Sequence, residues 1–551
     1  MRYKVLLLLL LPLQCFAQNY RLSRVRPSRY EVTKRLDANP SREAEEFIAP
    51  YKAGVDSLRR PFVGLSEECM YARRPESPLS NWVADVMKWA GEQQGQKIDM
   101  GLCNIGGLRA AMPKDTVRVG DIMAIAPFEN VLSIVQLKGR DLTRLFENIA
   151  FVGGEGVSRE VRLVINTQTR TLVSATLDGK PIDPEATYTI STLNYLADGN
   201  DKMTALKSAV ARKDYPVPTR DLLCQYFAYL NERGEKAKAQ VEGRISGGLS
   251  PLPLPVREGS SYSPDKEQDI QSRTTSSQTH SAPSLTGRAG GESSTLLLVH
   301  TNDTHSCVEP LNPNLSDTAQ ADKGGYLRRM AFLRDLRQKN PDLLLFDCGD
   351  FSQGSTYYSL YKGDVEVGLM NLMRYDAATI GNHEFDFGLE NMARIFRLAK
   401  FPIVCCNYDF TGTPCEGLVK PYIIINRAGA RIGILGVGPK LEGLVSASTS
   451  KGVKYTDPIE AAQPVADYLR DVEHCDLIIC LSHLGWKIDG TSDEELIPAT
   501  RNIDIVLGGH SHTYFTRPEV LQNLDGQSVI DNQMGKNGRF IGLLRLTMTS
   551  R

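Results

Sequence analysis

The chain has no histidine before His280, almost no net charge, and no apolar run long enough to cross a bilayer. Each absence excludes something. A metal site built on imidazole cannot lie in the first half. With 64 Lys plus Arg against 65 Asp plus Glu, no overall field attracts a nucleic acid or an acidic membrane, so phosphate recognition must be local. The apolar run at residues 5–13 is about half of the roughly 18 residues that a membrane span needs. It follows the basic start Met1-Arg2-Tyr3-Lys4 and precedes Cys15-Phe16-Ala17, the pattern of a secretory leader cut near Ala17. The expected product is exported, periplasmic or secreted, with no stable membrane insertion. Cysteine lacks the regular spacing of a small disulfide scaffold. Ten cysteines follow the leader, several inside apolar runs, and buried thiols are their expected state.

What the chain does contain falls into two blocks. Between residues 247 and 294, 26 of 48 residues are Ser, Thr, Pro or Gly, too poor in apolar side chains to build a core and expected to be a disordered linker. The expected organisation is a leader at 1–17, a first unit at 18–246, the linker at 247–294 and a second unit at 295–551. In the second unit, strand-like apolar runs alternate with helical periodicity, as in Leu327, Met330, Ala331 and Leu336. That alternation predicts an α/β layered fold. The first unit is also mixed α/β, with Ser77-Pro78 opening a helix and Val161, Leu163 and Ile165 alternating inward along a strand.

Five apolar runs of the second unit each end in a polar cluster: Asp303-Thr304-His305, Asp347-Cys348-Gly349-Asp350, Gly381-Asn382-His383-Glu384, Ser482-His483 and His510-Ser511-His512. Strands of an open α/β sheet would deliver all five to one edge, where loops converge on a rigid frame. Singly, an Asp-x-His or His-x-His pair is a turn. Together, carboxylate, imidazole and amide oxygens suit two divalent ions such as zinc or manganese, which bind phosphoryl oxygens and activate water. His300 and His474 sit in no motif and are expected to be structural, and the Gly433–Gly438 region lacks dinucleotide-fingerprint spacing.

The run Gly381-Asn382-His383-Glu384-Phe385-Asp386 resembles the calcineurin-like metallophosphoesterases, in particular the 5′-nucleotidase branch, over nearly all of residues 295–551. The resemblance implies an α/β/β/α sandwich of four layers. It implies that Asp303, His305 and His512 hold one ion, that Asn382, His483 and His510 hold the other, and that Asp350 bridges them. It gives His383 the charge developing on the phosphoryl group, Asp386 the orientation of that ring, and a metal-bound hydroxide the attack.

In the first unit, Asn104-Ile105-Gly106-Gly107-Leu108-Arg109 puts an arginine fork on a glycine-rich turn. With Glu76-Ser77-Pro78-Leu79-Ser80-Asn81, Pro127-Phe128-Glu129-Asn130 and the stretch from Asn194 to Asp201, it resembles the 5′-nucleotidase C-terminal domain. That likeness implies stacking of a base on Phe128 and Tyr195, and polar contacts from Arg73, Asn104, Arg109, Asn130 and Asp201. Tyr195 stands where that family usually has Phe, and Glu129 where it usually has Gly.

The implied function is hydrolysis of nucleoside 5′-monophosphates with two divalent metal ions. The alternatives are a phosphohydrolase of UDP-sugars, nucleoside di- or triphosphates or 2′,3′-cyclic nucleotides, and a nucleotide-binding protein with an idle site. Nucleic acid is not an expected partner. The order of the units is the reverse of that in the family, so docking across a linker of roughly 35–42 Å end to end becomes a condition of activity.

Overall fold

The computed structural model describes residues 20–247, 293–313, 319–488 and 490–550. The expected leader, and the expected linker apart from its ends at Gly247 and Ser293-Ser294, lie outside the described residues.

The described residues open with β1 (Tyr20–Glu31) and α1 (Arg42–Arg59). The first unit follows. Its main sheet contains β2 (Met100–Cys103), β3 (Val131–Lys138), β4 (Gly156–Val157), β5 (Thr187–Leu193) and β6 (Ala211–Pro218), in the order β6-β3-β5-β2-β4. Against it packs α2 (Pro78–Gln93), which starts where Ser77 and Ser80 form a reciprocal cap with Pro78 in the first turn. Leu79, Trp82, Val83, Val86 and Met87 of α2 join Leu102, Leu132, Val135 and Ile190 in one apolar core. Val161, Leu163 and Ile165 are buried from a neighbouring strand, as their alternation predicts.

The second unit stacks two sheets. One contains β7 (Ser293–Thr301), β8 (Leu344–Asp347), β9 (Ala377–Ala378), β10 (Ile403–Val404) and β11 (Val419–Lys420). The other contains β12 (Tyr422–Arg427), β13 (Ala430–Val437), β14 (Leu477–Ser482), β15 (Ile505–Leu507), β16 (Glu519–Gln522) and β17 (Ser528–Asn532). The last strand, β18 (Phe540–Ser550), returns to the first sheet. The orders are β1-β18-β7-β8-β9-β10-β11 and β12-β13-β14-β15-β17-β16. Leu296, Leu298, Leu344 and Phe346 meet Ile432, Ile434, Leu477, Ile479 and Ile505 between the sheets. Alternate residues such as Leu297, Val299 and Leu345 face helices on the outside of the first sheet. On the outside of the second, Ile478, Cys480 and Val506 face α-helical Ala462, Ala466, Leu496 and Ile497. The result is the four-layer α/β/β/α sandwich.

The packing corrects the expected start of the first unit at residue 18. Residues 20–59 belong physically to the second unit. β1 pairs antiparallel with β18 from Tyr20↔Ser550 to Glu31↔Phe540, and Val32, Ala44, Ile48 and Val55 enter the core of the second unit. Tyr30 stacks on Phe332 at 3.9 Å, and Arg328 binds Asp37 through two 2.7 Å hydrogen bonds. The physical reason is edge protection, since without β1 the long strand β18 would present an unpaired apolar edge.

All ten described cysteines are free, and seven of them are buried. No helix among the described residues is long and apolar enough to cross a membrane.

Candidate active site

The ligand-bearing clusters do not share one sheet edge, as expected from the sequence, but two facing edges. Asp303, Asp350 and Asn382 follow β7, β8 and β9 of one sheet, whereas His483, His510 and His512 follow β14 and β15 of the other. The C-terminal ends of both parallel sets meet across the top of the sandwich. Five of these residues take left-handed backbone angles: Asp303 (φ 48°), His305 (43°), Asp350 (55°), His510 (70°) and His512 (55°). Such angles cost about 1–3 kcal/mol each for side-chain-bearing residues and concentrate where function fixes the backbone. Two glycines let the loops close on one another. A Cβ on Gly381 would lie 2.1 Å from Asp350 Oδ1, and one on Gly509 would lie 2.8 Å from both Cys348 O and His483 Nδ1.

Three overlapping groups of donor atoms form there: Asp303, His305 and His512 bring one ligand atom each within 4.8 Å of one another, and so do Asp350, His483 and His510, and His305, Asp350 and His383. The Nε2 atoms of His305 and His512 are 2.9 Å apart, and Asp350 Oδ2 is 3.1 Å from His483 Nε2. His483 Nδ1 donates to the carbonyl of Cys348 (2.6 Å), which turns Nε2 inward toward Asp350; burial acts to lower the ring's pKa, but Asp350 and Asp303 outweigh it and raise it to about 10. Burial, joined by nearby cationic groups, pushes His510 and His512 down to about 3, so both rings are neutral, the form that ligates. Asn382 Oδ1 is buried with no hydrogen-bond partner. A buried amide oxygen with no donor, imidazoles and carboxylates converging on one centre form the donor set of divalent cations. The residues fit divalent metal.

His383 stands apart from these sets in its electrostatics. Its Nδ1 lies 3.1 Å from Asp386 Oδ2, and its backbone N–H donates to Asp350 Oδ1 at 2.9 Å. Burial acts to lower its pKa, but Asp386 and Asp350 outweigh that and raise it to about 9.

Reasoning from sequence passed over Glu384. Its fully buried carboxylate accepts from the backbone N–H groups of Asp350 (3.0 Å), Ser352 (3.1 Å) and Gly381 (2.7 Å), tying together the loops that carry Asp350 and Asn382. A buried acid inside the run of Asn382, His383 and Glu384 was the available signal. Asn302 acts similarly, donating to Asp303 Oδ2 (2.7 Å) and to Gly535 O (2.8 Å). Lys536 is a further omission, lying in a cleft shared with Arg109 and His305. His300 is buried away from the clusters beside Asn532, and Cys307 donates its thiol to Glu309 O.

The first unit closes over this centre. Phe128 comes within 6.0 Å of His383, centroid to centroid, and the Arg109 guanidinium lies 5.3 Å from the Phe128 ring centre. Ser359 Oγ donates to Pro127 O at 3.4 Å, and Ser446 Oγ to Asp198 Oδ2 at 3.3 Å, both between the units. Asn104 Nδ2 and Tyr195 OH both donate to Asp201, at 2.7 and 3.0 Å. Asn104, Phe128 and Asn130 line one small pocket. Arg73 is not brought to it: that side chain is exposed and lies over Tyr71 at 5.2 Å, while the adjacent Arg74 binds buried Glu155. Glu129 is held by Arg220 through two hydrogen bonds of 2.7 and 2.8 Å.

A frame of this kind with this donor set defines a calcineurin-like phosphoesterase, and residues 296–514 match that family's model, "Calcineurin-like phosphoesterase". Residues 63–208 match "5′-nucleotidase, C-terminal domain". The chain thus carries both domains of the 5′-nucleotidase family, with the C-terminal-type domain placed first. It is similar to human 5′-nucleotidase, 31% identical over 275 residues, which are 46% of this chain and 47% of that protein. The trifunctional nucleotide phosphoesterase protein YfkN of Bacillus subtilis is 24% identical over 585 residues, covering 89% of this chain and 38% of that one. Among solved structures, a 5′-nucleotidase precursor from Thermus thermophilus matches 46% of this chain and 51% of its own, with 32% identity and a TM-score of 0.41. The chain spans about half the length, or less, of these curated relatives.

Proposed function

We propose that the protein hydrolyses nucleoside 5′-monophosphates to nucleoside and phosphate, outside the cytoplasm, with two divalent ions. The observation that carries this reading is the position of Phe128, a candidate base-stacking residue of the first unit, beside His383 of the second. A nucleoside held by one unit then presents its phosphate to the other. The leader-like residues 1–17 and the names of the relatives support export and a nucleotide substrate.

Asp303, His305 and His512 would hold one ion and Asn382, His483 and His510 the other, with Asp350 between them. Bound there, the ions supply Lewis acidity toward the phosphoryl oxygens and activate water. The chain's own residues do the rest. Phe128 and Tyr195 stack the base, a contribution of roughly 1–3 kcal/mol that tolerates different bases. Asp201, already oriented by Asn104 and Tyr195, accepts from ribose hydroxyls. Arg109, which faces the carboxylates of Asp201, Asp350 and Asp386, offers its fork to the phosphate. His383, kept protonated by Asp386, donates toward the charge that grows on the leaving oxygen.

The test is phosphate release from a panel of nucleotides by the full chain loaded with Mn²⁺ or Zn²⁺. Release from monophosphates that disappears with chelator supports the reading. Tight nucleotide binding with no release would replace it with the idle-site alternative.

A further inference from the structure

The outer face of the sheet that contains β1, β18 and β7 is divided along its strands. At the end nearer the metal-binding loops, Tyr30, Ile541, Leu543 and Val299 enter the core beneath the helices. Toward the other end the same face turns polar. Arg21 stands opposite Thr549, Arg24 opposite Thr547 and Arg26 opposite Arg545, and Arg545 is in turn opposite Leu297 of β7, where burial ends. The bulge between Leu22 and Arg24 keeps Arg21 and Arg24 on one side of the strand. Alternation then sets all four arginines on the outer face, and all four are exposed.

The four guanidinium groups make no hydrogen bond or ion pair among the described residues. Arg29, on the same strand, is by contrast tied to Thr516 O at 2.6 Å and lies over the Tyr514 ring. Two acids at this end of the sandwich stand elsewhere. Asp476, beside β14 of the other sheet, accepts from the backbone N–H groups of Tyr20 (2.7 Å) and Arg431 (2.9 Å), and Asp342 precedes β8 on the far side of β7. Charges on an edge strand can serve only to block edge pairing, which would account for β1. It does not account for Arg545, because β18 is an interior strand. Arg26 and Arg545 are direct cross-strand partners, and like charges so placed repel until an anion lies over both.

We propose that this face docks the protein peripherally on a bilayer surface rich in anionic phospholipid. The arginines form a two-dimensional array on two neighbouring strands, with threonine hydroxyls between them, and a flat array matches a plane of phosphate headgroups better than a single polymer strand. Guanidinium forks bind phosphate oxygens in pairs. The placement also suits an enzyme: β7 runs from Ser293 at this end to Thr301 just before Asp303, so about 26 Å of strand separates the docked face from the metal-binding loops. The cleft stays open to solution. The inference does not depend on the substrate.

The test is co-sedimentation of the full chain with vesicles of phosphatidylcholine, with and without phosphatidylglycerol. Binding should require phosphatidylglycerol and should fall when salt rises from about 0.05 M to about 0.5 M. Each arginine at an anionic surface contributes about fivefold, so Arg26→Gln with Arg545→Gln should weaken binding roughly 20-fold. Arg24→Gln with Arg26→Gln should do the same and carries the test if the variant in the interior strand folds poorly. Arg233→Gln with Lys236→Gln, an equal charge change at exposed positions of the first unit, should stay within about twofold. Phosphate release should be unchanged in all three. An equal loss in that control reduces the effect to net charge and overturns the docking face. So does equal binding to neutral vesicles, or retention on a polyphosphate column by a chain that ignores vesicles.

Discussion

The ring of His383 and the carboxylate of Asp386 face each other at 3.1 Å, three residues apart in one tight turn. Asp386 and Asp350 keep that ring an imidazolium, which on the proposed reading acts on the phosphoryl group and does not ligate. His383→Ala is therefore expected to retain both metals while turnover falls by roughly 10²–10³, the loss typical of removing one transition-state donor. Metal content by mass spectrometry, measured beside phosphate release, checks it, and loss of an ion from the variant would reassign His383 as a ligand.

Glu384 acts one step further out. Glu384→Gln keeps the shape but puts an amide N–H₂ where a backbone N–H now donates, loosening the Asp350 and Asn382 loops together. Metal affinity should fall about 10–100-fold, the scale typical of partners of ligating groups. Titration with Zn²⁺ against a competing chelator reads it; unchanged affinity would limit Glu384 to folding.

Tyr195 carries two separable properties, a ring face and a hydroxyl. Tyr195→Phe removes only the 3.0 Å bond to Asp201 and should raise KM a few-fold, in line with about 1 kcal/mol for one hydrogen bond. Phe128→Ala removes a stacking face and should cost roughly 1–3 kcal/mol, again in KM and nearly equally for purine and pyrimidine substrates. A strong base preference appearing in either variant would contradict the stacking role.

His300 provides a pH signature. Asn532 Nδ2 can only donate, so His300 Nε2 accepts at 2.8 Å and the fully buried ring is neutral; burial holds it at about 3. The unfolded chain takes up this proton near pH 6.5 and the folded chain only near 3, so stability falls as pH drops through that window. Melting temperatures should decline from about pH 6.5 toward about 4, and His300→Gln should reduce the slope. An identical slope in the variant would remove His300 from the account.

A cut within residues 248–292 should leave the two pieces associated, because residues 20–59 remain on the first piece and stay inserted in the sheet and core of the second. Co-elution after cleavage checks this. Separation of the pieces would mean that the linker, and not the inserted segment, holds the units together.

Much of the centre was legible in the sequence because each ligand follows a run of apolar residues that can only be a buried strand, and strand ends are where loops converge. The first-unit residues Asn104, Phe128 and Tyr195 were singled out for a different reason, their likeness to a known domain. Arg73 was not resolvable from Arg74, since which of two neighbouring arginines turns toward Glu155 depends on a loop about 80 residues away. The division of the ligands between two sheets was also hidden, because an apolar run reveals that a strand is buried but not which sheet it joins. The insertion of β1 left least trace of all. Its residues alternate weakly, its face toward β18 is half polar, and its partner lies at the other extreme of the chain.

That pairing has a consequence for how the protein is made. Ser23 Oγ donates to the carbonyl of Thr547 across 524 positions of sequence, so β1 leaves the ribosome long before the strand it pairs with. Through that interval β1 has no sheet partner, and the first unit can condense before the sheet that anchors its leading segment exists. Closure of so long a loop costs little more entropy than a shorter one, but pairing of this range is slow to form. The arrival of β18 between β1 and β7 should therefore be a late step, which joins the sheet of the second unit and draws the first unit onto the active site.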